Sequence, residues 1–153
     1  MPKHLASVDL RPNGEYFITT YSFDGRLAIA DGPPIVLARD ASVGQLGTEA
    51  VAALLRSSTI VNPLTTGGKP ASRDLLLRAG VKNYAAYAKG TRSVQLFADF
   101  DGESPLDLRI VPLDNQGTRG GYVSMGEKSV TVPYSANEAI GALVKTALEL
   151  ATT

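Results

Sequence analysis

The stretch from Ala38 to Ser58 constrains the fold more than any other part of the chain, because it combines a helix-start signal with an apolar face. Ser42 is followed three residues later by Gln45, which is the spacing of a capping box. Apolar residues then recur at steps of three and four, the period that places them on one side of an α-helix. They are Val43, Leu46, Ala50, Leu54 and Leu55. The stretch therefore predicts an amphipathic helix that packs against the rest of the protein.

Two glycines, Gly44 and Gly47, lie inside this predicted helix. Each makes an interior helical position roughly 1 kcal/mol less favourable than alanine would. Because glycine has no Cβ atom, it lets another backbone come close at that point. We therefore expect close backbone packing at both positions.

Short runs of strand-forming residues precede the helix. Leu5–Leu10 and Glu15–Tyr21 are separated by Arg11–Gly14, which contains a proline-initiated turn and an Asn-Gly pair. This arrangement predicts an antiparallel hairpin. Leu27–Ala30 and Ile35–Ala38 predict two further short strands on either side of a Gly-Pro-Pro turn.

Loop and helix signals follow the first helix. Ser57–Ser72 is rich in glycine, proline and hydroxyl residues, which predicts a loop. Ser72 can cap a second helix, and if that helix resumes past Gly80 it has an apolar face. The members of this face are Leu77, Val81, Tyr84 and Ala88. The pattern therefore predicts that Tyr84 lies in the core.

The second half of the chain changes to the two-residue period of β-strands. Apolar residues alternate with polar ones along 93–100 and again along 106–111. The expected core-facing residues are Val94, Leu96, Ala98, Phe100, Leu106, Leu108 and Ile110. The short connection Asp-Gly-Glu-Ser-Pro suits an antiparallel hairpin, which would place Asp99, Asp107 and Arg109 on one outer face.

The last part of the chain predicts another hairpin and a second main amphipathic helix. Gly121–Met125 and Lys128–Tyr134 would pair through a turn at Gly-Glu, which extends the sheet as a meander. Ser135–Glu138 has the spacing of a capping box, and the apolar residues after it recur at helical steps. They are Ile140, Leu143, Val144, Ala147 and Leu148.

Grouped strands and two capped helices predict an α+β fold. We expect a largely antiparallel twisted sheet of about six or seven strands, packed with two main amphipathic helices. The chain of 153 residues has the length of one domain and shows no internal repeat. A single domain over 1–153 is therefore expected.

Composition argues against several kinds of catalytic or metal site. The chain has no cysteine, which removes disulfides, thiolate nucleophiles and thiolate zinc sites. Its only histidine is His4, which argues against a Ser-His-Asp arrangement and a multi-histidine metal site. We therefore expect neither enzymatic activity nor a bound cofactor or metal.

The distribution of apolar residues predicts a soluble protein of the cytoplasm. No apolar run approaches the roughly 18 residues that a membrane span requires. The first residues, up to Asp9, have no continuous apolar segment of the kind found in a signal peptide. We therefore expect no membrane partner.

Fifteen basic and fifteen acidic side chains cancel in this chain, but two segments carry charges of a single sign. The basic stripe consists of Arg78, Lys82, Lys89 and Arg92, and the acidic hairpin consists of Asp99, Asp101, Glu103 and Asp107. Basic residues near Tyr84 and Tyr87 could neutralise phosphates and stack on bases, so a nucleic-acid-binding module is an alternative function. The acidic residues could pair for hydrolysis or hold a hard cation, but their spacing lacks the ligand rhythm of an EF-hand loop.

Three stretches share a pattern of apolar and small residues with a known family. In the first, an apolar strand leads to Asp40 and then to Leu46-Gly47 and Ser57-Ser58. The second is Lys82–Val94, a basic helix with alanines and aromatics that precedes a strand. The third is Ser129–Pro133, followed by a short polar cap. In these features the chain resembles the immunity proteins (CdiI) of bacterial contact-dependent growth inhibition systems.

The resemblance implies a cytoplasmic protein that binds the C-terminal toxin domain of a cognate effector and neutralises it. Such toxins are most often nucleases, and we favour a ribonuclease over a deoxyribonuclease. The family has no catalytic motif to transfer, which agrees with the composition. Because nuclease active sites are basic where they hold phosphate, an acidic surface would complement them. We therefore nominate Asp99, Asp101, Glu103 and Asp107 as the toxin-binding residues.

Overall fold

A computed structural model describes residues 4–23, 28–57, 69–102 and 104–153. Eight strands and five helices are defined in these ranges. The strands are β1 (His4–Leu10), β2 (Tyr16–Phe23), β3 (Ala28–Ala30), β4 (Ile35–Leu37), β5 (Arg92–Asp101), β6 (Ser104–Asn115), β7 (Tyr122–Ser124) and β8 (Val130–Pro133). The helices are α1 (Val43–Arg56), α2 (Lys69–Ala79), α3 (Tyr84–Ala88), α4 (Gly117–Gly120) and α5 (Asn137–Leu150).

The strands form one antiparallel sheet in the order β3-β2-β1-β5-β6-β7, with β4 also paired to β2 and β8 to β6. The predicted hairpins β1–β2 and β5–β6 are both present. Strand β1 also pairs with β5, which joins the N-terminal hairpin to the second half of the chain. The α+β fold is confirmed.

The two main helices, α1 and α5, pack against one face of this sheet and enclose the hydrophobic core. Alternate strand residues such as Val8, Leu96 and Leu108 are buried against them. From the helices the core receives Leu46, Ala50, Ala53, Leu54, Ile140, Val144, Ala147 and Leu148. Leu55, which was predicted to share the buried face of α1, is exposed instead. Successive helical residues are about 100° apart, so a buried Leu54 turns Leu55 to the flank.

The helices α1 and α5 touch through their backbones. A Cβ atom added at Gly47 would lie 1.7 Å from the carbonyl oxygen of Asn137, and one added at Gly141 would lie 1.8 Å from the carbonyl oxygen of Val43. Close packing at Gly47 is therefore confirmed. The same prediction for Gly44 is wrong, because the nearest atom there is the Ser42 Oγ at 3.7 Å, which belongs to the cap of the same helix.

The starts of the two main helices differ. In α1, Ser42 Oγ accepts from the Gln45 N–H at 3.1 Å, and the Gln45 side chain accepts from the Ser42 N–H at 2.9 Å, which confirms the capping box. The capping box predicted at Ser135–Glu138 is wrong. Helix α5 begins after Ala136, which provides no side-chain cap, and the Asn137 side chain instead accepts from the Tyr134 hydroxyl.

The region between α1 and β5 departs from its prediction. Helix α2 begins at Lys69, inside the predicted loop, while residues 58–68 of that loop lie outside the described residues. The helix does not resume past Gly80, whose φ of 71° places it in the left-handed region. A new helix, α3, begins after Asn83, whose side chain caps it.

This break in the helix places Tyr84 at the surface and Tyr87 in the interior. Tyr84, predicted to lie in the core, is 54% exposed, whereas Tyr87 is 0% exposed. The prediction for Tyr84 is wrong because it assumed one uninterrupted helical period across Gly80.

The predicted hairpin between the last two strands is also wrong. Strands β7 and β8 do not pair with each other but with successive parts of the long strand β6. A 3-10 turn at Gly126–Lys128 joins them, and the N–H groups of Lys128 and Ser129 bond back to carbonyls at its start. Both strands therefore pair with the same edge of β6, one after the other, and the expected meander does not form.

Candidate functional site

The face of the sheet opposite α1 and α5, called here the outer face, carries the described carboxylates of the acidic hairpin. On β5 and β6 the buried core-facing residues alternate with residues of this outer face. The outer face has two distinct ends. Helices α3 and α4 lie beside one end, and the tip of the β5–β6 hairpin forms the other.

The acidic hairpin lies at the second end. Asp99, Asp101 and Asp107 are all exposed, as the strand pattern predicted. Asp101 pairs with Ser104 at the last step of the ladder, which places it at the tip. Glu103 lies outside the described residues.

An irregularity in the β5–β6 pairing lies among these carboxylates. Ala98 pairs with Leu108, but Phe100 pairs with Pro105, so β6 has one more residue than β5 in this interval. This is a β-bulge on β6. Asp99 faces the bulged segment from the neighbouring strand.

The bulge overturns the prediction that Leu106 lies in the core. Pro105 and Leu108 are both buried, and the two residues between them, Leu106 and Asp107, are both exposed. Leu106 retains 51% of its accessible surface. Regular alternation cannot place two consecutive residues outward, so the extra residue of the bulge is the physical reason for the error. No signal in the sequence distinguishes this position from a regular strand.

Arg109 shares this end of the outer face with the acidic hairpin. Arg109 is exposed, and it pairs with Phe97 on β5 and with Thr131 on β8. It lies two residues after Asp107 on β6, so the two side chains point to the same face. The prediction that Asp107 and Arg109 point to the same face is therefore confirmed. Among the described residues, this surface combines carboxylates with the Arg109 guanidinium and the exposed Leu106 side chain.

The basic stripe is distributed over several elements. Arg78 lies on α2, Lys82 in the following turn, Lys89 just after α3 and Arg92 at the start of β5. All four are exposed, and the Arg92 guanidinium also lies 3.4 Å from the backbone carbonyl oxygens of Leu148 and Glu149 at the end of α5. Arg92 thus complements the negative end of that helix.

A polar network that the sequence did not suggest lies at the other end of the outer face. The Asp9 carboxylate accepts hydrogen bonds from the Tyr87 hydroxyl and from Ser93 Oγ, both at 2.6 Å. The Arg11 guanidinium lies 4.7 Å from the centre of the Tyr87 ring. The ring of Phe17 meets Tyr87 edge-on at 5.7 Å. A carboxylate near the end of the first strand was the available signal for this network.

The network shifts the acidity of its members. Desolvation raises the pKa of Asp9 above its ordinary value of 3.8, although the residue keeps part of its solvent exposure. The hydrogen bonds from Ser93 and Tyr87 and the charge of Arg11 lower this pKa and offset part of the effect. Burial, followed by the nearby Asp9 charge, raises the pKa of Tyr87 well above its usual range. Both carboxylate oxygens of Asp9 are engaged by internal donors, which is the arrangement of a structural network.

An apolar groove runs beside α3. Two adjoining cavities of about 550 Å³ and 230 Å³ share Ala85, Ala88, Asn115 and Gly117 as lining residues. The Asn115 amide donates to the carbonyl oxygens of Ala88 and Thr91 at 2.7 and 3.1 Å. Its polar atoms therefore hold the wall of the groove together.

The described residues contain no group of three His, Asp or Glu side chains placed to hold a metal ion. His4, the only histidine, has its Nδ1 2.9 Å from the Leu54 carbonyl oxygen, and its ring packs against Phe100 with a centroid distance of 4.6 Å and a tilt of 58°. In the same part of the chain, none of the helices has the length and apolar character needed to cross a membrane.

No protein-family model and no curated protein sequence matches this chain. Among solved structures, it is similar to a protein of unknown function from Neisseria meningitidis, with 24% identity over 97% of this chain and 95% of that one and a TM-score of 0.78. It is also similar to a chain of a CdiA-CT/CdiI toxin and immunity complex from Yersinia pseudotuberculosis, with 20% identity, 99% and 98% coverage and a TM-score of 0.77. The chain shares its fold with these proteins over nearly its whole length.

Proposed function

We propose that this protein is an immunity protein that binds and neutralises the C-terminal toxin domain of a cognate contact-dependent growth inhibition effector. The observation that carries the proposal is the fold shared with a chain of the CdiA-CT/CdiI complex, over 99% of this chain at a TM-score of 0.77. The sequence resemblance to CdiI proteins points the same way. The proposed toxin is a nuclease, a ribonuclease in preference to a deoxyribonuclease, and the proposed place of action is the cytoplasm.

The arrangement of polar groups supports a binding role in preference to catalysis. The Asp9 carboxylate, which has a raised pKa, is saturated by Tyr87 and Ser93. His4 is engaged by the Leu54 carbonyl and packed on Phe100. The His4 ring and the Asp9 carboxylate are therefore committed to holding the fold together.

The acidic hairpin is the proposed toxin-binding surface. Asp99, Asp101 and Asp107 are exposed at one end of the outer face, where a large partner can approach. A nuclease needs a positive surface to hold phosphate, and opposite potentials accelerate the encounter between two proteins. Occupation of the nuclease cleft by these carboxylates would exclude the nucleic-acid substrate.

The function is tested with the toxin domain of the effector encoded beside this chain's gene. We expect the two proteins to co-purify, and we expect cells that produce the toxin domain to grow only when this chain is present. Failure of the folded protein to bind the toxin domain and to protect cells would overturn the proposed function.

The surface is tested with the triple variant D99N/D101N/D107N. Loss of the steering field is expected to slow association roughly tenfold at low salt and to flatten the dependence of the association rate on salt. Surface plasmon resonance over a series of salt concentrations measures both effects. The matched control removes three exposed carboxylates elsewhere, as D40N/E138Q/E149Q, and should associate at close to the wild-type rate. Equal association rates for the two triple variants would contradict the assignment of the acidic hairpin.

A further inference from the structure

Leu106 is held outward by the backbone of its own strand. The bulge exposes Leu106 and Asp107 together, while Pro105 and Leu108 on either side are buried. The Leu106 carbonyl accepts from the Tyr134 N–H at 2.8 Å, which fixes the backbone at this point. The leucine therefore cannot turn inward without breaking the register of β6.

Two carboxylates lie beside the bulged segment that holds Leu106. Asp107 follows it directly, and Asp99 faces the bulged segment from β5. Single exposed leucines are common on protein surfaces and mean little alone. A leucine fixed outward between carboxylates has the composition of a protein interface, in which an apolar centre is surrounded by a charged rim.

The neighbouring edge of the sheet indicates how a partner would bind there. The backbone N–H of Tyr134 points to β6. Because backbone polar groups alternate in direction along a strand, those of Pro133 and Thr131 point away from β6, along the free edge of β8. Pro133 has no N–H to donate, which obstructs the addition of another strand at this position. At this position the edge therefore favours recognition through side chains over the addition of a strand.

We propose that Leu106 is the apolar anchor of the toxin interface. It inserts into an apolar recess on a basic protein surface, and Asp99 and Asp107 face cations on the rim of that recess. This inference rests on the proposed function and deepens it, because it separates the residue that holds the complex together from the carboxylates that speed its formation. Anchors of this kind contribute mainly to the lifetime of a complex.

The variant Leu106→Ser tests the anchor against the cognate toxin domain. We expect the dissociation rate to rise roughly tenfold or more, with the association rate and its salt dependence close to wild type. The D99N/D101N/D107N variant should show the opposite pattern. The matched control is Leu77→Ser on α2, because Leu77 is 71% exposed and lies on an element away from the hairpin, and its dissociation rate should stay at the wild-type value.

The outcomes separate the two proposals. If Leu106→Ser dissociates as slowly as wild type, or if Leu77→Ser loses as much affinity, the anchor is wrong while the immunity function stands. If the wild-type protein does not bind the toxin domain, the proposed function itself is wrong. A circular dichroism melting curve of Leu106→Ser that matches wild type shows that the fold is intact, as expected for an exposed side chain.

Discussion

The substitution Gly47→Ala is expected to reduce the free energy of unfolding by about 3 kcal/mol, the upper end of the range for overpacked cores. The added Cβ would lie 1.7 Å from the Asn137 carbonyl oxygen and 2.9 Å from the Gly141 nitrogen. Both atoms belong to the backbone of α5, so neither can rotate away. The two helices would have to separate, and the core beneath them would lose contacts.

The effect is measured by urea unfolding and by thermal melting. A loss of 3 kcal/mol corresponds to a fall of roughly 6 to 12 °C in the melting temperature of a chain of this size. The control is Gly44→Ala on the same helix, where the nearest atom is 3.7 Å away. It should stabilise the protein by up to about 1 kcal/mol, because alanine is the better helix former. Similar melting temperatures for the two variants would show that α1 and α5 do not cross at Gly47.

Features that depend on local sequence were predicted well. The capping box at Ser42 and Gln45, the β1–β2 hairpin and the β5–β6 hairpin each depend on residues close together in the chain. Their signals are the helical and strand periods and the turn residues between them. The exposure of Asp99 and Asp107 follows from the same alternation.

Features that depend on long-range contacts were predicted poorly. Whether β7 pairs with β8 or with β6 is decided by how far β6 extends, and no residue of β7 carries that information. The hairpin tip shows the same limit at closer range, because one extra residue in β6 turned Leu106 from the core to the surface. Asp9 and Tyr87, whose hydrogen bond joins residues 78 positions apart, could not be paired from sequence.

The substitution Tyr87→Ala is also expected to have a large effect, a reduction of about 4 kcal/mol in the free energy of unfolding. Tyr87 is 0% exposed and contacts the ring of Phe17, the Arg11 guanidinium and the Asp9 carboxylate. Removal of the ring leaves a cavity between α3 and the outer face of the sheet. The variant Tyr87→Phe keeps the ring and removes only the hydroxyl, so it separates the hydrogen bond from the packing.

For Tyr87→Phe we expect a loss of about 1.5 kcal/mol near neutral pH, at the low end for hydrogen bonds to charged groups because Asp9 is partly exposed. The loss should depend on pH. Asp9 has a folded-state pKa above its unfolded value of 3.8, so its ionisation opposes folding and stability falls as pH rises from 3.8 through the folded pKa. Because the Tyr87 hydroxyl lowers this pKa, its removal raises the folded pKa further and extends the unfavourable range upward.

Urea unfolding of wild type and Tyr87→Phe at several pH values from about pH 4 to neutral tests this expectation. The difference in the free energy of unfolding between the two proteins should be smallest at the acid end, where Asp9 is most protonated in the folded state of both proteins, and should grow toward neutral pH. In an Asp9→Asn background the pH dependence of that difference should disappear, since the titrating group is gone. Tyr84→Phe is the control on the same helix and should change stability little, because Tyr84 is 54% exposed. A constant difference across the pH range would contradict the coupling between Tyr87 and the Asp9 charge.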